Sequence, residues 1–242
     1  MTKWIEDWFG SSYYCLLYKH RDDDEAKLFL NNLIKLLKIQ PMSRILDCGC
    51  GKGRHSFYLN DKGFDVTGLD ISEPNIRESK KREKANLAFF THDMRNLFRI
   101  NYYDVALSLF TSFGYFDKDA ENNKVIRSTA SALKKDGLFV LDFMNVKKET
   151  HVLCLEEKTT IGGVDFKVTR STNQNCITKE ISISDKGKKH QFRENVRAYK
   201  RKELENFFAQ NNLEVVHLFG NYNLDAFNEN TSERLILIGK KK

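Results

Sequence analysis

The sequence predicts an α/β fold: a seven-stranded, mostly parallel sheet with an antiparallel last strand, plus a small antiparallel β insertion that covers it. Three observations carry that expectation. Between residues 44 and 145, short apolar runs alternate with amphipathic stretches through short connections, the pattern of a parallel sheet with helices on both faces. From 151 to 199 the helical period vanishes and apolar residues alternate with polar ones, as in antiparallel strands. The last two apolar runs, 213–219 and 234–239, are joined by only about 14 residues, too few for a helical crossover, so they pair antiparallel.

The elements follow in order. Residues 1–20 are rich in aromatics (Trp4, Trp8, Phe9, Tyr13, Tyr14, Tyr18) that need a surface to pack on. Asp22-Asp23-Asp24 starts a helix with carboxylates at the positive end of its dipole, and Ala26, Phe29, Leu30, Leu33, Ile34 and Leu37 give it an apolar stripe that ends before Pro41. A strand over 44–47 enters a glycine loop. A helix over 54–61 follows, stopped by Gly63. Strand 64–70, helix 73–84, strand 87–90, the apolar strand 103–110, helix 119–134 and strand 137–143 complete the alternation. In the insertion, 164–170 and 177–183 read as strands, and a third ends near Tyr199. Asn173-Gln174-Asn175 and Asp185-Lys186-Gly187 give the turns. A helix over 202–210 precedes the terminal hairpin. One domain is expected: 1–40 as an aromatic lid and helix, 41–150 as the core, 151–199 as the insertion, and 200–242 as the last helix and hairpin.

Composition narrows the class. Of 242 residues, 40% are hydrophobic and 30% charged, the balance of a soluble globular chain. Glu6 and Asp7 interrupt the apolar stretch a signal peptide would need, and no run approaches the ~18 apolar residues of a membrane helix. Five unevenly spaced cysteines argue against a disulfide framework and for a reducing, cytoplasmic setting. Cys48-x-Cys50 lacks a second pair and a His at ligand spacing, so no metal site is expected. The net charge of +7 sits in short runs such as Lys80–Arg82, Lys200–Lys202 and Lys240–Lys242, with acids between them. Solvated faces explain such runs better than a nucleic-acid track.

The chemistry concentrates at Asp47-Cys48-Gly49-Cys50-Gly51-Lys52-Gly53. Glycines after a strand let a ligand approach the backbone, and the next helix offers free N–H groups. Asp70 lies 19 residues after Gly51, at the end of the next strand, where an acid accepts hydrogen bonds from both ribose hydroxyls of an adenosine. A dinucleotide fingerprint counted from Gly49 would need its third glycine at Arg54. An acid at the head of the loop suits a cationic amino group better than a pyrophosphate. Lys52 is not followed by Ser or Thr, which excludes a P-loop.

Asp47–Gly53 resembles the first motif of the class I S-adenosylmethionine (SAM)-dependent methyltransferases, a Rossmann-like family. The resemblance continues through Asp70-Ile71, His92-Asp93-Met94, 103–110 and 133–142, and covers about residues 25–145. It implies that Asp47, Gly49 and Gly51 hold the methionyl end, Asp70 the ribose, Ile71 and Met94 the adenine faces, and Asp93 the adenine amino group. Phe110 would border both cofactor and acceptor. Taken singly, Asp93 would serve as a helix cap, Asp70 as a turn residue, and Met94 and Phe110 as core. Their joint spacing selects the functional reading. S-adenosylhomocysteine (SAH) is the implied product.

The acceptor is less legible. Methyl transfer from a sulfonium needs alignment and exclusion of water more than covalent help, so the lack of a base motif is uninformative and no catalytic residue is assigned. The adjacent prolines of amino-methylating nucleic-acid enzymes and the Pro-Cys of cytosine-C5 enzymes are absent. Thr111–Phe116 and Tyr13–Tyr18 resemble the corresponding segments of small-molecule N-methyltransferases, with the insertion as a cover over the active site. Tyr14, Tyr18, Phe113, Tyr115 and Arg197 are therefore the expected acceptor contacts, and a small molecule methylated on N or O the expected partner. An enzyme acting on RNA or protein, a non-catalytic adenosine-binding module and an aminopropyl transferase remain open alternatives.

Overall fold

In the computed structural model, which describes residues 3–19, 23–149, 154–173 and 175–242, elements succeed one another as follows. The N-terminal helices are α1 (Lys3–Phe9), α2 (Ser12–Leu17) and α3 (Asp23–Leu37). The alternating core is β1 (Arg44–Cys48), α4 (Arg54–Asp61), β2 (Asp65–Asp70), α5 (Glu73–Lys80), β3 (Leu87–Thr91), β4 (Tyr103–Ser108), α6 (Asp119–Ala132) and β5 (Leu133–Met144). The short α7 (Val146–Glu149) leads to β6 (Cys154–Ile161), β7 (Val164–Thr172), β8 (Cys176–Asp185) and β9 (Lys188–Arg197). Then come α8 (Arg201–Gln210), β10 (Leu213–Phe219) and β11 (Arg234–Lys241). Asp22 of the expected helix start, Gln174 of the expected turn and the expected boundary at 150/151 lie outside the described residues.

The main sheet has seven strands in the order β10-β11-β5-β4-β1-β2-β3, and β11 alone runs against its neighbours. The strand order reverses beside β1, which pairs in parallel with β2 on one side and β4 on the other. A crevice opens at the carboxyl ends of strands at such a switch point. Both faces of the sheet are buried. Ile45, Val66 and Val105 pack with Phe29, Leu33 and Leu59 on one side, while Leu46, Leu69 and Ala106 pack with Ile126 and Phe208 on the other. Two-sided burial makes these strands read as continuous apolar runs. Each fully buried Leu, Ile or Phe adds roughly 1.5–3 kcal/mol.

Gly68, in the centre of β2, illustrates how tight this packing is. A Cβ there would sit 2.5 Å from Phe89 Cδ1 and 2.9 Å from Cys50 Sγ. Phe89 is fully buried and has nowhere to move. Gly68→Ala is expected to lower stability by about 1–3 kcal/mol, read from urea unfolding midpoints.

Several elements depart from the sequence reading for local reasons. The helix after β2 stops at Lys80 rather than Lys84, because the Glu83 carboxylate accepts the Phe89 N–H at 2.7 Å and Lys84 pairs with Leu87 in an antiparallel bridge. β4 ends at Ser108, two residues early, where Phe110 and Thr111 turn left-handed (φ 53° and 61°). The insertion has four antiparallel strands in the order β6-β7-β8-β9. Its edge strand β6 was hidden by its charge, Glu156-Glu157-Lys158, and the turn after it is Gly162-Gly163, both at positive φ. The aromatic N-terminus forms two helices. Ser11 caps the second, its hydroxyl accepting the Tyr14 N–H at 3.0 Å. Their apolar side meets the insertion: Trp8 and Leu17 pack with Val164, Phe166, Ile181 and Ile183. Ile177 and Val196 of the insertion join the main core.

Candidate functional site

At the switch point a cavity of about 370 Å³ lies between the glycine loop, the ends of β2 and β4, and helices α1 and α2. Gly49, Gly51 and Gly53 all have positive φ (76°, 55° and 84°). A Cβ on Gly49 would lie 2.7 Å from Ser112 Cβ, whereas one on Gly51 would meet nothing within 4 Å. Gly49 thus lets the loop pack on the segment after β4, and Gly51 leaves open space toward the cavity. The loop is tied to β2, since Gly49 and Cys50 N–H both donate to the Leu69 carbonyl (2.8 and 3.0 Å).

Asp70 is the pivot. One carboxylate oxygen accepts the Gly51 N–H and the other the Ser72 N–H, each at 2.8 Å. Ser72 in turn caps α5. Burial raises the Asp70 pKa, and the two N–H bonds pull it back. Each oxygen keeps a lone pair for a ligand hydroxyl.

Asp47 is 1% exposed and lies under the loop, and it is not among the residues lining the cavity. The Ser56 hydroxyl donates to it at 2.6 Å. Burial pushes its pKa up to about 6 from 3.8, against the pull of that hydrogen bond. A folded pKa above the unfolded value gives stability that is complete below about pH 4 and is lost as pH rises through about 6. At 1.36 kcal/mol per pH unit this interval amounts to about 3 kcal/mol. Asp47→Asn, which carries no charge, is therefore expected to gain about that much relative to wild type between pH 4 and pH 7. Urea midpoints at the two pH values check it, and parallel profiles would exclude it.

Ile71, Met94 and Phe110 line the cavity with Gly49 and Gly51. Asp93 lines it too, but Arg95 grips its carboxylate through Nε (3.0 Å to each oxygen) and Nη2, and also pairs with Glu121 at 2.7 Å. Burial alone would raise the Asp93 pKa, yet these bonds hold it below its ordinary value. Sequence reasoning missed Arg54 and His55, on the first turn after the loop. Their ring and guanidinium meet Phe110: His55 stacks on it at 5.0 Å and Arg54 lies 5.0 Å over its ring. Burial, aided by Arg54, lowers the His55 pKa to about 3, so its imidazole is neutral. The only signal for this pair in the sequence was adjacency to the loop.

Tyr14, Tyr18 and Tyr115 line the same cavity, joined by Phe9 in an aromatic roof: Phe9 to Tyr14 is 4.9 Å, Tyr14 to Tyr18 4.9 Å, and Phe9 to Tyr115 5.1 Å. Two expected acceptor contacts lie elsewhere. Phe113 is 1% exposed and packs on Phe143 and Tyr199 in the main core, because Gly114 (φ 94°) turns the segment inward. Arg197 pairs with Asp119 at 3.0 Å and does not line this cavity.

A second cavity of about 510 Å³ shares Phe9, Phe110, Thr111 and Tyr115 with the first. Its far walls come from the insertion (Ile177, Lys179, Glu194, Val196) and from Tyr222, Asn223 and Arg234. The two spaces thus meet at one wall. Among the described residues, no group of three His, Cys, Asp or Glu is placed to hold a metal.

Residues 45–137 match the family described as a methyltransferase domain. A putative methyltransferase from Geobacillus sp. (strain WCH70) is 28% identical over 143 residues, 58% of each chain. The chain spans about half the length of the curated relatives it matches. A SAM-dependent methyltransferase from Clostridium acetobutylicum ATCC 824 superposes with a TM-score of 0.81 at 19% identity, covering 95% of this chain and 96% of that one. An amino pentose methyltransferase from Micromonospora echinaspora, solved with SAM bound, gives 0.71 at 18% identity, covering 96% and 98%. These structural likenesses extend the match from the core to the insertion and the terminal hairpin at the level of fold. Residues 45–137 thus match the methyltransferase domain family, and they sit within a fold shared with SAM-dependent methyltransferases.

Proposed function

We propose that this chain transfers the methyl group of SAM to a nitrogen or oxygen of a small-molecule acceptor, leaving SAH. The observation that carries the reading is the pair of cavities meeting at Phe110, Thr111 and Tyr115, one under the glycine loop and one under the insertion. The first suits the cofactor. Asp70 presents two anchored oxygens to ribose hydroxyls, Gly51 leaves room for the ligand, and Ile71 and Met94 offer apolar faces to adenine. Bound SAM would supply an electrophilic methyl group on a sulfonium. The protein's own part is to bind and align: the aromatic roof excludes water, and the shared wall sets the line of approach. The acceptor's place is the second cavity, and an amino sugar acceptor is consistent with the amino pentose enzyme of like fold.

A nucleic-acid acceptor fares worse, because several basic runs are already paired: Lys81 with Glu78, Arg201 with Glu205, Lys240 with Asp136 and Lys242 with Glu214. We further read the whole chain, 1–242, as one domain. Its free cysteines among the described residues, Cys15, Cys48, Cys50 and Cys176, suit a cytoplasmic enzyme. No helix among the described residues is long and apolar enough to cross a membrane.

Calorimetry with SAM, SAH and NAD tests the cofactor. Transfer of labelled methyl from SAM to fractionated metabolites, tRNA and protein tests the acceptor. SAM and SAH binding with label in a small-molecule fraction is expected. NAD binding without SAM binding, or label in tRNA alone, would overturn the reading.

A further inference from the structure

Phe110 and Thr111 carry left-handed backbones (φ 53° and 61°) on two successive non-glycine residues, one of them β-branched. That region is disfavoured for such residues, so the surrounding structure must hold it. The holding groups come from β5 and from the far end of the chain. Asp142, fully buried near the end of β5, accepts the Phe110 N–H at 2.7 Å and the Tyr222 hydroxyl at 3.1 Å through one oxygen. Its other oxygen accepts Arg234 Nε at 2.8 Å. The same guanidinium donates from Nη2 to the Thr111 hydroxyl at 2.9 Å, and the Thr111 N–H donates to the Asp142 carbonyl at 3.1 Å. The Tyr222 ring lies 5.0 Å from the Phe110 ring. Asp142 therefore binds both strained residues, Phe110 through its side chain and Thr111 through its carbonyl, and Arg234 bridges Asp142 and Thr111 as a fork that a point-charge cation would not reproduce.

We propose that Arg234 and Asp142, with Tyr222, are positioning residues that lock the Phe110–Thr111 segment in its left-handed form and so fix the wall shared by the cofactor and acceptor cavities. The proposal rests on the methyltransferase reading. Through this lock the terminal hairpin, which touches no part of the glycine loop in sequence, governs the shape of the cofactor cavity.

A double-mutant cycle on SAH affinity tests it, with thermal unfolding recorded in parallel. Arg234→Lys keeps a cation for the buried Asp142 but loses the fork. It is expected to weaken SAH binding about tenfold, the size of one charge-assisted hydrogen bond. In the Thr111→Gly background the same substitution is expected to cost less than about twofold, because glycine takes positive φ without strain. A merely structural Arg234 would lower the unfolding temperature in both backgrounds and leave SAH affinity alone. Equal SAH affinity in wild type and Arg234→Lys, or an equal loss in both backgrounds, overturns the lock. Wild type that fails to bind SAH sinks the methyltransferase reading itself. If Arg234→Lys does not fold, Tyr222→Phe, which deletes one hydroxyl, is run through the same cycle. It is expected to show a loss of about threefold that vanishes in the Thr111→Gly background, and no loss overturns the lock.

Discussion

Asp70→Ala is expected to weaken SAH binding by about 100-fold or more while the chain stays folded. Two effects add. The carboxylate offers one hydrogen bond to each ribose hydroxyl, and bonds to charged groups contribute about 1.5–3 kcal/mol each, or about 3 kcal/mol at the low end for the pair. At 1.4 kcal/mol per tenfold, that alone reaches about 100-fold. The same carboxylate also receives the Gly51 and Ser72 N–H groups at 2.8 Å, so its removal frees the loop that Gly51 anchors and the start of α5. Asp70→Asn keeps one acceptor oxygen and should fall between the two. Titration calorimetry of SAH against the three proteins, with far-UV circular dichroism to confirm folding, checks the order. Retained affinity in a folded Asp70→Ala would mean that the adenosine does not lie along β2.

Why Asp70 was legible and the acceptor side was not follows from how each is built. Glycines with positive φ after a strand, and an acid at the end of the next one, express constraints that act within about 20 residues of chain, which a sequence carries openly. The alternation that predicted the main sheet was equally local. By contrast, the second cavity is assembled from Phe9, Thr111, Lys179, Glu194, Tyr222 and Arg234, which only tertiary packing brings together. Phe113 and Tyr115 are two residues apart and look equivalent as aromatics. Gly114 between them sends one into the core and leaves the other on the cavity wall. Arg197 suits a carboxylate clamp by residue type, yet Asp119 at the start of α6 already takes its charge. The partners of Asp142 were likewise invisible, since Arg234 lies 92 residues away.

Glu194→Ala is expected to cost about 3–5 kcal/mol and to loosen the N-terminal lid before the main sheet unfolds. Glu194 is 6% exposed, on β9 of the insertion. One oxygen accepts Trp8 Nε1 at 2.6 Å and the Tyr18 hydroxyl at 3.1 Å, and Lys179 lies 3.6 Å from the other. Trp8 is fully buried, so losing its acceptor leaves an indole N–H without water or partner, and Lys179 loses its counter-charge. The loss falls on one junction. Trp8 and Leu17 pack in the insertion's apolar cluster, while Ile5 of α1, with Trp4 and Phe9 beside it, packs in the sheet's own core. Local opening should therefore come closer to the folded baseline than global unfolding does. Glu194→Gln keeps an acceptor for Trp8 and removes only the charge, so it should recover most of the lid. The checks are a red shift of tryptophan fluorescence and faster proteolysis within α1 and α2 at denaturant levels where the sheet is intact. Because α1 and α2 roof the cofactor cavity, SAH dissociation should accelerate in the same order, Ala above Gln above wild type. A Glu194→Ala protein that unfolds in one step, with fluorescence and sheet signals coincident, would show that lid and core are a single cooperative unit.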